Sequence, residues 1–333
     1  MADWFFAMVT AVIPNWNRAP LLEKALDSLR RQTRPPEEII VVDNGSSDNS
    51  VDVARAAGAR VIQMHANTGF ARAVNTGIEA ATGEFVAIVN NDVELEPTWL
   101  ETLCGSLEAN EYGFATGKLL DANREGVIDG TWDEICRGGC AWRCGQGRPD
   151  TEVWNRSRPI RFAPFTAVLF RASVFHRVGM LDHSYESYLE DVDFGIRCAM
   201  GGVEGLYVPE ARGRHRGSAT YGQWSYDTVR LLARNQVVLI ARNFPDSWLA
   251  RYGWPVMVAQ VLWGALAVRH GQFRAYARGR MEGARLFRTL RRDRPVHDAQ
   301  TFHRIIGEAE NEIKALQKAT GYDLFWRLYF ALT

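Results

Sequence analysis

The chain has 333 residues, 47% of them hydrophobic and 23% charged, which suits one large globular α/β unit with appendages. Lys plus Arg equals Asp plus Glu at 39 each, so the molecule as a whole is not a polycation built for nucleic acid. The five cysteines are an odd number, and the apolar start MADWFFAMVTAVIP carries Asp3 and no basic leader; both fit reduced thiols in a cytoplasmic protein whose first strand begins here.

Met8 to Ile13 reads as a strand and Leu21 to Arg31 as an amphipathic helix. Glu38 to Val42 is a second strand, followed by a helix from Ser50 to Ala57 that stops at Gly58. Arg60 to Met64 and Phe85 to Val89 are further strands, and Ala71 to Ala80 and Thr98 to Ala109 are helices. This alternation predicts a Rossmann-like, mostly parallel sheet flanked by helices. Ligands of such sheets sit at the carboxyl ends of the strands. Those ends are Pro14-Asn15, Asp43 to Asp48, His65 to Gly69 and Asn90 to Asp92.

Residues 111–160 lose the alternation and read as long loops or an insertion over the site. Cys136, Cys140 and Cys144 recur there at intervals of four, a spacing unlike structural zinc sites. Trp132 and Trp142 either stack on an acceptor sugar or pack in a core. Pattern returns with Arg161 to Phe170, a helix near Ser173 to Val178, a helix from Glu190 to Gly201-Gly202, a strand at Leu206 to Val208 and a long helix from Trp224 to Asn243. The division expected is 1–245 as a catalytic unit, with a nucleotide-binding half (1–110) and an acceptor half (111–245). Residues 246–333 form a helical extension. In that extension Pro255 to Val268 is apolar but shorter than the roughly twenty residues of a membrane span. The stretch 269–294 has nine Arg against Glu282 and Asp293, a local charge of +7. Residues 256–294 therefore read either as a peripheral contact with an anionic membrane or as a packing subdomain.

Five segments carry chemistry. Val42-Asp43-Asn44-Gly45-Ser46-Ser47-Asp48 offers an acid at a strand end for a base or ribose, or a set of helix caps. In Asn67 to Asn75, Gly69 permits close backbone approach, and Arg72 lies at a helix start, where a cation needs an anionic partner. Asn90-Asn91-Asp92 ends an apolar strand with a carboxylate suited to Mg²⁺ or Mn²⁺, or to a turn. Glu190-Asp191-Val192-Asp193 supplies a general base, or merely satisfies a helix dipole. His215, between Arg214 and Arg216, is a ligand or a structural histidine. No GxGxxG follows the first strand, and no P-loop or GxSxG elbow occurs.

In order, VIPNWN, VVDNGSSD, NTGFARAVNTGI, IVNNDV, EDVDFGIR and the late RHRGS resemble glycosyltransferase family 2 over about residues 9–245. The resemblance implies a GT-A fold and an inverting transfer from a nucleotide-diphosphate sugar. It puts Asp43 on the nucleotide base and Pro14 and Asn15 along its pocket. Asn17, Asn67, Gly69, Arg72, Asn75 and Asn91 also fall on the donor side. Asp92 becomes the metal-binding end of a DxD-like motif, with Asn90 in place of its first Asp and His215 as a second ligand. Asp191, with Glu190 beside it, becomes the base. NTGFARAVN and EDVDF look most like bacterial rhamnosyltransferases of surface polysaccharide assembly. That implies dTDP-L-rhamnose or a UDP-sugar as donor, and a saccharide or polyprenyl-linked saccharide as acceptor at the inner face of the cell membrane. A sugar-phosphate nucleotidyltransferase and a non-catalytic sugar-binding protein are the alternatives.

Overall fold

The computed structural model describes residues 7–217 and 224–333. The first part runs β1 (Val9–Asn15), α1 (Ala19–Arg30), β2 (Glu38–Asp43), α2 (Ser50–Ala56), β3 (Arg60–Gln63), α3 (Phe70–Ala80), β4 (Phe85–Val89), β5 (Val93–Leu95) and α4 (Trp99–Glu108). Next come β6 (Phe114–Asp121), β7 (Ile128–Gly130), β8 (Asp133–Ile135), β9 (Ala141–Arg143), β10 (Arg158–Ile160) and β11 (Ala167–Arg171). Then follow α5 (Ala172–Val178), α6 (Glu190–Met200), β12 (Gly205–His215) and the helices α7 (Tyr226–Asn243), α8 (Asp246–Arg269), α9 (Phe273–Arg292), α10 (Ala299–Thr320) and α11 (Leu324–Leu332).

The main sheet has the order β10-β12-β6-β11-β4-β1-β2-β3, with β5 on β12 and β7 on β6. β4, β1, β2 and β3 are mutually parallel, as the alternation predicts, whereas β11 is antiparallel to both its neighbours. Side chains alternate across β1. Val9, Ala11 and Ile13 face α1 and α4 through Leu22, Leu26, Trp99 and Leu103, while Val12 faces α3 and α6 through Val74 and Phe194. Helices therefore cover both faces and leave the strand ends for the site.

The segment expected to be loops supplies β6, a strand deep in this sheet. Its pattern is hidden by Lys118, which is fully buried and paired with Asp150 at 2.6 Å and with Asn155. A charge in a central strand breaks the apolar run that a sequence reader looks for. β8 and β9 form a hairpin through Arg137-Gly138-Gly139, with Gly139 at φ +76°. β12 begins near the predicted strand but runs on to His215, with a register irregularity between Tyr207 and Arg212.

α9 packs along α7. A Cβ at Gly279 would lie 2.1 Å from the Arg230 carbonyl, and one at Gly283 2.7 Å from Val237 Cβ, so both positions are occupied by the opposite helix. Three arginines of the basic block are paired within α9 or with the start of α8. Arg278 pairs with Glu282, which also holds Arg230, and Arg291 and Arg294 bind Asp246. α8 contains Pro255 and departs from helical geometry at Tyr252, three residues earlier, where the ring removes a hydrogen bond and displaces a carbonyl.

Candidate active site

β1 and β2 end in register, with Asn15 beside Asp43. Asn15 is the hub. Its Nδ2 donates to Asp43 Oδ1 and Ser46 Oγ, each at 3.3 Å, and its Oδ1 accepts from Asn91 Nδ2 at 2.7 Å. Asn17, at φ +58°, donates its amide to Ser46 Oγ at 2.7 Å and accepts from the Ser47 amide at 2.8 Å. Pro14 is buried in β1 beside Val42. Pro14, Asn15, Asn17, Asp43 and Asn91 thus lie at one place. Asp43 is only 2% exposed, and its second oxygen accepts from the Ser46 amide at 3.1 Å. Asp48 is a double cap, accepting from the Ala19 amide at the start of α1 and from the Ser50 amide at the start of α2, both at 3.0 Å.

The second loop is held by Asn44, a residue the sequence reading left without a role. Its carboxamide accepts from the Thr68 amide at 2.9 Å and donates to Asn67 Oδ1 and the Gly69 carbonyl, each at 3.1 Å. Gly69 has φ +90°, and a Cβ there would lie 2.7 Å from the Glu186 carbonyl oxygen. The backbone that Gly69 admits is that of residue 186. The Ala71 amide donates to the same carbonyl at 3.1 Å, and Phe70 donates to Ser187 Oγ at 3.3 Å. Asn75 exchanges two hydrogen bonds with the Leu181 backbone, at 2.8 and 3.0 Å. Asn67 and Asn75 therefore hold backbone, while Arg72 is exposed and makes no ion pair among the described residues.

These contacts join the start of α3 to the turn before α6. Glu186, Tyr188 and Leu189 there have φ of +61°, +73° and +67°, left-handed values that cost non-glycine residues roughly 1–3 kcal/mol each. Asn235 of α7 holds that turn. Fully buried, its Nδ2 lies 2.7–2.8 Å from the carbonyls of Tyr185, Ser187 and Tyr188, which share its two hydrogens.

Asp92 and His215 come together, as expected for a ligand pair. Asp92 Oδ1 lies 3.2 Å from His215 Nε2, and the Arg216 amide donates to the Asp92 carbonyl. The other ring nitrogen, Nδ1, is 2.7 Å from Oδ2 of buried Asp129 on β7. Burial opposes a charge on this ring, but hydrogen bonds to Asp129 and Asp92 and their field push His215 up to about 10. No group of three His, Cys, Asp or Glu side chains among the described residues forms a metal cage. The ligands available are Asp92 and one face of His215, with the buried Asn90 Oδ1 lacking a hydrogen-bond partner nearby in sequence. Ser218, the last residue of RHRGS, lies outside the described residues.

Half-buried Asp191 starts α6, its Oδ2 3.5 Å from Arg143 Nη2. Arg143 also binds Asp133 at 3.2 Å and Thr166 Oγ1 at 3.3 Å. Burial and the neighbouring charge of Asp133 raise Asp191 to about 6, against the lowering pull of Arg143. Glu190 is buried, with Oε2 unpartnered; burial and Asp191 hold it well above the usual carboxylate range. Asp193, the third acid of the motif, is spent on Tyr185, Arg197 and Asn243 at 2.7–3.0 Å. The two clusters are neighbours. The Thr166 that binds Arg143 accepts from the Asn90 amide at 2.9 Å, two residues before Asp92. Gly130, next to Asp129, packs on the Arg143 side chain, where a Cβ would lie 2.5 Å from Cδ.

Residues 10–179 match the family model of glycosyl transferase family 2. The chain belongs to that family. This glycosyltransferase is 26% identical, over 78% of its length and 94% of the relative's, to an N-acetylglucosaminyl-diphospho-decaprenol L-rhamnosyltransferase of Mycobacterium tuberculosis. Its fold is similar to that of GalNAc-T7, solved with UDP, GalNAc and Mn²⁺. The TM-score is 0.63 at 15% identity, covering 97% of this chain and 59% of that one. It is also similar to a Pyrobaculum calidifontis mannosyltransferase in complex with GDP-Man and Mn²⁺, with a TM-score of 0.51 at 16% identity and coverage of 98% and 87%. These likenesses bear out the expected GT-A architecture.

In this family 2 enzyme, Asp129, Arg143, Thr166 and Asn235 are the site residues that sequence reading missed. The hairpin turn after Asp133 was a signal for the Asp133–Arg143 pair, and an asparagine within the apolar pattern of α7 was a signal for Asn235. Asp129 had none. Of the two tryptophans, Trp132 packs against Trp154 and Tyr207 and is buried, so it presents no stacking face; Trp142 is half-buried against Trp326. Cys136, Cys140 and Cys144 are free, buried thiols.

Proposed function

We propose that this glycosyltransferase moves L-rhamnose from dTDP-L-rhamnose, or a hexose from a UDP-sugar, to a saccharide or polyprenyl-linked saccharide at the inner face of the cell membrane. Identity along nearly the whole length of a decaprenol-linked rhamnosyltransferase supports the sugar and acceptor class. The observation that carries the reading is the ring of contacts Asp191–Arg143–Thr166–Asn90, with Asp92–His215–Asp129 beside it, at the carboxyl end of the sheet.

In this reading the polar floor of Asn15, Asn17, Asp43 and Asn91 takes the nucleoside, and Arg72 is the exposed cation available to the diphosphate. Asp191 accepts the proton of the acceptor hydroxyl as its oxygen attacks the anomeric carbon. The bond from that carbon to the diphosphate oxygen breaks on the opposite face, so configuration inverts and the nucleoside diphosphate leaves. Glu190 stays protonated behind Asp191. Arg143 orients Asp191 and keeps it ionised near neutrality.

Asp92 and His215 fit a divalent cation, Mg²⁺ or Mn²⁺. They would provide one carboxylate and, once the cation displaces the ring proton that Asp129 and Asp92 stabilise, one imidazole, the donor set of an ion that completes its shell with phosphate oxygens. Asp129 on Nδ1 leaves Nε2 toward Asp92. Bound there, the ion supplies charge neutralisation for the leaving diphosphate.

The test is nucleotide release from a panel of dTDP-, UDP- and GDP-sugars with Mg²⁺ or Mn²⁺. Release from dTDP-L-rhamnose, raised by a lipid-linked saccharide, is the result expected. No release from any donor would overturn the reading.

A further inference from the structure

The stretch 256–294, read either as a peripheral membrane contact or as a packing subdomain, is divided by the fold. α9 is committed to α7 through Gly279 and Gly283. Apart from Phe273 and Met281 of α9, the outward apolar rows lie on α8 and on α11, a helix the sequence did not single out.

On α8, Trp254, Met257, Val261 and Val268 are exposed, Trp254 at 56% and Val261 at 64%. Ala265 is also exposed, so the intervals are three, four, four and three, and the five residues share one helical face. The opposite face, with Val258 and Ala259, packs on Trp326 and Tyr329 of α11. α11 repeats the arrangement, with Leu324, Leu328 and Leu332 exposed at intervals of four. Trp254 Nε1 donates to the Leu332 carbonyl at 2.8 Å, which ties the two faces together at one end. Seven large apolar side chains on two packed helices exceed the scattered exposure usual for a water-soluble surface.

Charge identifies what covers them. No acidic residue occurs between Asp246 and Glu282. Arg251, Arg269, Arg274 and Arg327 are exposed on or beside these helices, and among the described residues none of them has a carboxylate partner. Asp323, at the entry to α11, is paired with Arg148 at 2.8 Å. No helix among the described residues is long and apolar enough to cross a membrane. Apolar rows edged by unpaired arginines and a tryptophan match the interface of an anionic bilayer, where the rings and aliphatic groups enter and the guanidinium groups meet headgroup phosphates.

We infer that α8 and α11 form a seat that rests this enzyme on an anionic lipid surface without spanning it. The choice of occupant rests on the proposed lipid-linked acceptor; the surface itself rests on the two helices. The test is co-sedimentation of the full chain with vesicles of phosphatidylcholine, with and without phosphatidylglycerol. The unaltered chain is expected to pellet only with the anionic vesicles, and M257E/V261E to lose this binding by about tenfold or more. The milder pair M257Q/V261T, with an unchanged melting curve, guards against a folding defect. Nucleotide release from the soluble donor is expected to be unchanged in both variants. Equal pelleting of the variants and the unaltered chain, or no pelleting with anionic vesicles, overturns the inference. So does a dimer by light scattering that M257E/V261E splits while vesicle binding is absent, since the seat would then belong to a second copy. Vesicle binding without nucleotide release from any donor counts against the proposed function alone, and release without binding counts against the seat alone.

Discussion

The loops after β1, β2 and β4 bond to one another across adjacent parallel strand ends, Asn15 to Asp43 and to Asn91, and Asp48 to Ser50 within one turn. The Asp92–His215–Asp129 and Asp191–Arg143–Asp133 groups are assembled from distant parts of the chain; Asp129 and His215 alone are 86 positions apart. The first region is a polar floor that forms once the adjacent parallel strands β4, β1 and β2 are aligned. The second exists only when β6, β7, the β8–β9 hairpin and α6 are all packed. The floor is therefore expected to tolerate single changes better than the clusters, and the clusters to hold the steps that discriminate between binding and reaction.

The largest effect expected is on transfer itself. Asp191→Asn keeps the size of the base but not its basicity. It is expected to lower transfer by about 10² to 10⁴-fold with donor affinity nearly unchanged, measured by turnover and by donor titration. Unaltered turnover would remove Asp191 from the reaction.

Next is the turn before α6. Asn235→Ala removes two buried N–H donors shared among three carbonyls of a turn with three left-handed residues. A loss of about 2 kcal/mol in denaturant unfolding is expected, at roughly 1 kcal/mol per donated hydrogen. A change within about 0.5 kcal/mol would mean that the turn is held elsewhere.

Asp129→Asn tests whether the far side of His215 matters to the near side. Cation affinity is expected to fall roughly 10- to 100-fold, read from Mn²⁺ spin resonance on the donor-bound protein. Equal affinity would separate Asp129 from the ligand pair.

The smallest effect is a displacement of pH dependence. Asp191 works only as the carboxylate, so the rate falls as pH drops through about 6. Burial and the charge of Asp133 favour its protonation, and Arg143 opposes it. Arg143→Gln is thus expected to move the acid limb upward, with about a tenfold loss near pH 6, and Arg143→Lys to restore most of it. A limb that stays in place in Arg143→Gln would assign the titration to another group.

The same contrast explains what could be read before folding. The parallel half of the sheet follows from β-branched runs separated by helical periodicity, and the pairing of Asp92 with His215 came with the family's ordered motifs. Lys118 hid β6, since its charge is neutralised by Asp150 and its ammonium also donates to Asn155, partners that no periodicity announces. Asp129 was invisible because it gains its meaning from His215 in another element, and the hairpin that pairs Arg143 with Asp133 does not announce the contact with Asp191. Gly69 was legible as a close approach but not as to what approaches, which is the Glu186 backbone.

The glycine seam between α9 and α7 gives the far end of the chain mechanical leverage. α7 carries Asn235, and α9 sits against it at Arg230, Ala233 and Val237, on either side of that residue. Adding one methyl group at Gly279 or Gly283 would pry the two helices apart and shift the anchor of the turn before α6, with no residue of the candidate site altered. A chain cut back to residue 245 would lose the wedge entirely. Its tolerance for truncation is thus set by a contact between two hydrogen atoms and a carbonyl, well away from any sugar.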